Sequence, residues 1–279
     1  MLGQVTLAKL TVRGNVGDYC PMSPSERNVP VSIIGRVSII LDCFSHIDST
    51  LTISEIARRS GLAKSTTSRL VSELSTYGFL ESHGSAISLG LRFFELGQKS
   101  VRPHTLRRLT YAHMETLRQM TGHTVHLAVL DAGQVVYIEI LPSRSSPMMP
   151  SRVGGRLPAH ATAVGKAILA FSDPSVTEEH IAKGLAAVGP HTITDPDALR
   201  AALWRIRSTG FATEREESGA GVACVAAPIL VRDGEPIAGI SVSGWTHSID
   251  LEACTTALRS ASESLRQQVE KLPPNRQAL

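Results

Sequence analysis

Residues 52–78 read TISEIARRSGLAKSTTSRLVSELSTYG, and this stretch decides the fold of the first part of the chain. Thr52-Ile53-Ser54-Glu55 is a capping box, in which the Thr and Glu side chains satisfy free backbone N–H groups at the start of a helix. Gly61 suits the left-handed residue that ends such a short helix. A second helix is predicted to begin near Ser65 and to end at Gly78. Two short helices joined by a Gly-containing turn are typical of a helix-turn-helix.

The flanking residues extend this motif to a winged helix-turn-helix. Apolar residues recur at helical spacing from 33 to 44, which predicts a preceding helix. Residues 79–82 and 86–89 read as two short strands around a turn at 83–85. We therefore expect residues 31–90 to form a DNA-binding domain. The Gly-, Pro- and Ser-containing residues 1–30 are expected to be a flexible extension, with Met22 as an alternative start.

The second helix of the motif carries polar side chains that suit contact with DNA. Short hydroxyl and ammonium donors near a helix N-terminus can reach phosphates or base edges. Arg69, one turn further on, suits a phosphate or a guanine. The blander interpretation is that these Ser and Thr residues only cap the helix. The predicted DNA-binding residues are Lys64, Ser65, Thr66, Ser68, Arg69 and Ser72.

The remainder of the chain alternates between strand and helix patterns. Residues 91–104 are predicted to be a linker helix, and residues 105–121 to be the first helix of a second domain. Strands are expected at 124–130, 135–141, 211–217, 221–231 and 236–244. Helices are expected from Ala161 onward and at 177–185, 196–209 and 248–271. The predicted fold class is α+β, with an antiparallel sheet and flanking helices over 105–272 and a tail at 273–279.

Composition excludes several classes of protein. The 279 residues are 42% hydrophobic and 19% charged, which argues for folded domains and against a disordered chain. No apolar run approaches the length of a membrane helix, and no secretory leader is visible. The four cysteines form no C-x-x-C pair, which favours a reducing cytoplasm over a zinc cluster or a disulfide framework. Residues 1–121 carry a net charge of +5 and residues 122–279 a net charge of −2, as expected if the first domain faces a polyanion.

Five segments together resemble the IclR family of bacterial transcription regulators. They are SGLAKSTTSRL at 60–70, TGHTVHLAVL at 121–130, LPAHATAVGKAILA at 157–170, RSTGFATEREESGAGVACVAAP at 207–228 and GISVSG at 239–244. The resemblance implies a winged helix-turn-helix followed by a GAF-like domain that senses a small molecule. It also implies binding to double-stranded operator DNA as a homodimer or a dimer of dimers. The function expected is repression of a catabolic operon, relieved by a small organic acid or an aromatic metabolite, with activation as the alternative.

The resemblance also implies where an effector would bind. Backbone N–H groups of Ala163 and Val164 would hold a carboxylate, and Ser241 and Ser243 share one face of a strand. Glu214 stands where acid-binding members have a shorter Asp, so the size or the ligand of the pocket is expected to differ. The predicted effector-binding residues are Met149, Leu157, Ala163, Val164, Glu214, Val222, Cys224, Ser241 and Ser243. Core packing is the alternative interpretation for each wall residue.

Two features depart from the family pattern or suggest other chemistry. The wing ends in Ile87-Ser88-Leu89-Gly90 and its tip carries no Lys or Arg, which weakens the case for a minor-groove contact. His160, Lys166, Glu217 and Cys224 could suggest a GAF-like enzyme, but no nucleophile-elbow motif accompanies them. His123 and His126 face opposite sides of a strand, so they are not expected to share a metal. We predict no catalytic residues, no metal and no cofactor.

Overall fold

The computed structural model describes residues 32–271 except 46, 148 and 232. The predicted extension at 1–30 and the tail at 273–279 lie outside the described residues. The first domain contains three helices and a small antiparallel sheet with strand order β1-β3-β2. The elements are α1 (Ile33–Leu41), β1 (Thr50–Leu51), α2 (Ile53–Ser60), α3 (Lys64–Thr76), β2 (Leu80–His83) and β3 (Ala86–Leu89).

Local signals determine this domain, and the predicted winged helix-turn-helix is confirmed. The Thr52 hydroxyl accepts a hydrogen bond from Glu55 N, and Gly61 ends α2 with a left-handed φ of 71°. Ile56, Leu70 and Leu80 belong to one buried core beneath the helices. The short strand β1, which pairs with β3, was not predicted from the sequence.

The connection to the second domain differs from the predicted linker helix. It is a short helix α4 (Arg92–Gln98), followed directly by the long helix α5 (Val101–Thr121). The predicted start of α5 was residue 105, shortly after Pro103. Pro103 instead lies in the first turn, where a helix has no use for the missing N–H.

The second domain is a six-stranded antiparallel sheet in the order β6-β5-β4-β9-β8-β7, with helices on both faces. The strands are β4 (Thr124–Asp131), β5 (Gln134–Leu141), β6 (Arg156–Pro158), β7 (Ala212–Arg215), β8 (Val222–Leu230) and β9 (Pro236–Trp245). The helices are α6 (Ala163–Leu169), α7 (Pro174–Ala182), α8 (Pro196–Thr209) and α9 (Leu251–Glu270), with a 3-10 turn at Ala159–Ala161. The predicted α+β class is therefore confirmed.

The two faces of this sheet have separate cores. Leu127, Val225 and Ile240 belong to the core that α5 and α9 cover. Alternate residues of the same strands face α6 and α8 on the other side, among them Ala128 and Ala226. Because β8 is buried on both faces, its sequence is a continuous apolar run and not an alternating one.

A β-bulge in β5 changes the face to which its side chains point. Leu127 pairs with Glu139, whereas the next residue, Ala128, pairs with Tyr137, so Ile138 is the extra residue. Tyr137 consequently packs in the core of the α6 side. Glu139 turns toward α5, where it accepts a hydrogen bond of 2.7 Å from Arg107 Nε.

Gly239→Ala tests the close approach of α6 to β9. A Cβ at residue 239 would lie 2.6 Å from Val164 Cγ2 and 3.1 Å from Ile168 Cγ1. We expect the free energy of unfolding to fall by about 1–3 kcal/mol because the packed wall cannot yield. Urea unfolding followed by tryptophan fluorescence measures this, since Trp204 and Trp245 both lie in the second domain. Gly219→Ala is the control, because its Cβ would meet no atom within 4 Å. An equal loss in both variants would contradict the packing argument.

Candidate DNA-binding helix and effector cavity

The predicted DNA-binding residues lie together on the outer surface of α3. Five of the six are exposed and Thr66 is half-buried. Thr67, Leu70 and Val71 on the opposite face are buried in the domain core. The exposed side chains are Lys64, Ser65, Ser68, Arg69 and Ser72.

Electrostatics distinguish α3 from the helix before it. Arg58 and Arg59 of α2 both bind the carboxylate of Glu55, and these hydrogen bonds lower the pKa of Glu55 to about 2. Within the described part of the chain, Lys64 and Arg69 have no ion-pair partner. The first turn of α3 contains no acidic residue, and its N-cap makes no side-chain hydrogen bond. The N-terminal end of α3 is therefore available to a phosphate.

All nine predicted effector-binding residues line one cavity on the α6 side of the sheet. The cavity has a volume of about 20 Å³, which is room for about one water molecule. An organic ligand could enter only if wall side chains move. Met149 is half-buried and its side chain is the most adaptable of the apolar wall. The apolar wall consists of Met149, Leu157 and Val222, together with Pro150.

The sheet register aligns the polar part of the wall. Glu214 pairs with Cys224, and Cys224 pairs with Ser243, across three neighbouring strands. Ser241 pairs with His126 in the next row. Residues paired across antiparallel strands share a face, so all of these side chains point toward the cavity.

Glu214 is buried, and its carboxylate is satisfied within the protein. One oxygen accepts from Ser218 Oγ at 2.8 Å and from Cys224 Sγ at 3.1 Å. The other accepts from the backbone N–H groups of Glu217 at 2.9 Å and Ser218 at 3.4 Å. Four donors fill the acceptor sites of a carboxylate. Glu214 thus needs no ligand hydroxyl to satisfy its oxygens.

Cys224 is buried beside this carboxylate. Burial raises the pKa of the Cys224 thiol well above its ordinary value, and the charge of Glu214 adds a smaller increase. A thiol with a raised pKa stays protonated and is a poor nucleophile.

Six cavity residues were not predicted from the sequence, namely His126, Tyr137, Pro150, Ser151, Thr162 and Ser218. His126 Nε2 lies 2.9 Å from Ser151 Oγ, and its Nδ1 lies 3.3 Å from Ser243 Oγ. Burial lowers the pKa of His126 to about 4, so the imidazole is neutral near pH 7. Strand alternation with Ala128 could have identified His126. Tyr137 could not be identified in this way, because the bulge interrupts the alternation of side chains along β5.

A buried ion pair holds the loop at the rim of the cavity. Lys166 Nζ of α6 lies 2.6 Å from both carboxylate oxygens of Glu217 and donates to Thr213 O at 3.1 Å. Burial raises the pKa of Glu217 even though Lys166 opposes this effect. His160, another candidate from the sequence, packs instead against His180, with 2.8 Å between Nδ1 and Nε2.

Comparison with known proteins identifies the family. A model of the IclR helix-turn-helix domain matches residues 34–84, and one of the C-terminal domain of bacterial IclR transcriptional regulators matches residues 98–271. The chain belongs to the IclR family of bacterial transcriptional regulators. It is therefore a DNA-binding regulator, as its sequence predicted.

Individual relatives agree with this assignment. The HTH-type transcriptional regulator XynR of Escherichia coli is 32% identical over 79% of this chain and 88% of its own length. The transcriptional repressor IclR of Escherichia coli is 31% identical over 74% of this chain and 77% of its own length. An IclR homologue from Microbacterium hydrocarbonoxydans, solved with 4-hydroxybenzoate, has a TM-score of 0.79 and 33% identity over 85% of this chain and 98% of its own.

Two observations bear on other classes of protein. No helix among the described residues is long and apolar enough to cross a membrane. Within the same residues, no group of three or more His, Cys, Asp or Glu side chains is placed to hold a metal ion.

His126→Gln tests the buried neutral imidazole. The folded-state pKa of about 4 lies below the ordinary value of 6.5, so the unfolded chain binds the proton first as the pH falls. Stability is therefore lost between about pH 6.5 and 4, by about 2–3 kcal/mol. We expect Gln, which cannot titrate, to reduce the loss seen in urea unfolding between pH 7 and pH 4.5. His83→Gln, on the exposed wing, is the control. A wild-type pH dependence in His126→Gln would contradict the assignment.

Proposed function

We propose that this IclR-family protein represses a catabolic operon and that a small organic acid or aromatic metabolite releases it from the operator. The observation that carries the proposal is one chain with two sites. One is the α3 surface, where Lys64 and Arg69 pair with no described acidic residue, and the other is a cavity of the second domain with polar and apolar walls. A transcriptional activator with the same two sites is the alternative. We assign DNA binding to residues 31–90, the connection between the domains to residues 91–104, and effector binding to residues 105–272.

The lining of the cavity supports an acidic effector. The N–H groups of Ala163 and Val164 precede the first intrahelical hydrogen bond of α6, which Lys166 N donates to Thr162 O. They are therefore available to a carboxylate. Met149, Leu157 and Val222 would contact an apolar or aromatic body. The homologue that was solved with 4-hydroxybenzoate supports this class of ligand.

Exposed apolar residues near the linker support a homodimer. Ile33 and Ile34 of α1, Leu91, Phe94 of α4 and Val101 of α5 are each at least 59% exposed. A second copy would cover these side chains and bring two α3 helices to two half-sites of one operator. Association of two such dimers is the further possibility.

The site chemistry supports binding and not catalysis. Among the described residues that line the cavity, Cys224 carries the only thiol, and this thiol is buried and hydrogen-bonded to Glu214. We therefore propose that the protein is not an enzyme and needs no cofactor or metal. With chromosomal DNA as its partner, it would act in the cytoplasm.

Arg69→Ala tests the DNA-binding surface. The probe is a duplex that the wild-type protein selects from a random-sequence library. We expect binding to weaken by about 1–3 kcal/mol at fixed salt if Arg69 contacts a base, with relaxed sequence preference at one position. If it contacts a phosphate, the loss is uniform across sequences. Arg266→Ala, on α9 far along the chain, removes the same charge and should bind like wild type. Unchanged affinity and salt slope in Arg69→Ala would exclude α3 as the DNA-binding helix.

The effect of a ligand on DNA affinity tests whether an effector releases the protein from its operator. With 4-hydroxybenzoate as the probe, the ligand should weaken binding to the selected duplex, and bound duplex should weaken ligand binding by the same factor. Ser241→Ala should require more ligand for the same release. Fluorescence anisotropy of labelled duplex measures both quantities. Tighter DNA binding with ligand would favour the activator, and no change would exclude hydroxybenzoates as effectors.

A further inference from the structure

Tyr137 presents its phenol hydroxyl to the cavity on the α6 side of the sheet. Its side chain is 5% exposed and lines the cavity. Its backbone N–H and C=O are bonded to Gly155 and Gly154. Among the described residues, however, no side-chain or backbone atom forms a hydrogen bond with the phenol oxygen. The phenol oxygen is therefore available to a molecule in the cavity, and a Tyr hydroxyl that such a molecule covers needs a hydrogen-bond partner.

Two of the other polar side chains around the cavity, Glu214 and His126, differ from Tyr137 because they have hydrogen-bond partners in the protein. The Glu214 oxygens accept from four donors. His126 is held between Ser151 and Ser243. Ser241 resembles Tyr137, because the residue is 3% exposed and its hydroxyl has no partner among the described residues. The cavity therefore offers the hydroxyls of Tyr137 and Ser241 to whatever binds there.

The surroundings of Tyr137 determine what its hydroxyl can bind. Burial raises its pKa far above the ordinary value, and the neighbouring Cys224 and Glu214 add to the shift. The phenol is therefore protonated at any physiological pH and can donate a hydrogen bond. The same neighbours disfavour negative charge near the phenol oxygen. A neutral hydroxyl or carbonyl oxygen suits this position better than a carboxylate.

We propose that Tyr137 determines effector specificity by donating a hydrogen bond to a neutral oxygen of the effector. This inference rests on the proposed binding of an acid in the cavity. It narrows the effector to acids that carry a second, uncharged oxygen, such as hydroxy or oxo acids. A site built to bond such an oxygen discriminates strongly against the analogue without it, because the donor is then covered by the ligand and left unpaired.

A matched pair of ligands tests this assignment. Calorimetric titration would compare 4-hydroxybenzoate with benzoate, on the wild-type protein, Tyr137→Phe and Tyr111→Phe. Tyr111 lies on α5, is half exposed and does not line the cavity. We expect the wild type and Tyr111→Phe to prefer 4-hydroxybenzoate by about 10-fold or more. Tyr137→Phe should lose most of that preference and bind benzoate about as well as the wild type.

Three outcomes would overturn the proposal. An equal loss of both affinities in Tyr137→Phe would mean that the phenol contacts the carboxylate or only shapes the wall. An unchanged preference would mean that it contacts neither ligand. Failure of the wild type to bind either ligand would overturn the proposed binding of an aromatic acid beside Tyr137, while the Arg69 measurement would still test the DNA-binding function.

Protein stability separates specificity from a structural role. Because the Tyr137 hydroxyl bonds no described residue, Tyr137→Phe should unfold at the wild-type temperature or slightly above it in the absence of ligand. A clear fall in unfolding temperature would indicate a structural hydrogen bond and would overturn the proposal.

Discussion

The close approach of α6 to the sheet is the constraint on which the second domain depends. Gly239 lets Val164 and Ile168 pack onto the backbone of β9, and Gly165 lets the same helix lie against Ala159. Two contacts that exclude a Cβ, on two sides of one short helix, leave it little freedom to shift. Since α6 begins at Ala163, its first free N–H groups are held over the strand that carries Ser241 and Ser243. The cavity lies between the start of α6 and the sheet, next to the contact of α6 with β9.

Buried charge is tolerated around that cavity because each charge has its partners nearby. Glu214 accepts hydrogen bonds from the loop that follows its own strand, at the N–H groups of Glu217 and Ser218. Glu217 in turn binds Lys166 of α6. Removing one member would leave another charge buried without compensation, which is far more costly than never burying the pair. The network therefore links β7, the loop after it and α6 at the rim of the cavity. The Tyr137 and Ser241 hydroxyls take no part in it and are available as donors.

Local signals in the sequence were sufficient for most of the fold. The capping box at Thr52 and the glycine at residue 61 define α2 because both act within one turn of helix. Strand alternation and the family resemblance brought nine residues to one cavity. The sequence could not reveal β1, since two residues carry too little pattern, nor the start of α5, since Pro is accepted in a first turn as readily as before it. Tyr137 was missed because alternation along β5 fails at the bulge, where the register depends on the neighbouring strand.

That bulge also gives the cavity a physical connection to the helix that leads back toward the DNA-binding domain. Without it, residues 137 and 139 would face the same side of the sheet. With the bulge, Tyr137 lines the cavity. Glu139, two residues away, points to the other side of the sheet, where its Oε2 lies 2.6 Å from Nη2 of Arg107 in α5. A ligand changes DNA affinity only if the two states differ at its own site. A ligand that moves Tyr137 therefore acts on a strand whose opposite face carries an ion pair to α5. Two residues of backbone, and not the whole thickness of the core, separate the cavity from that ion pair.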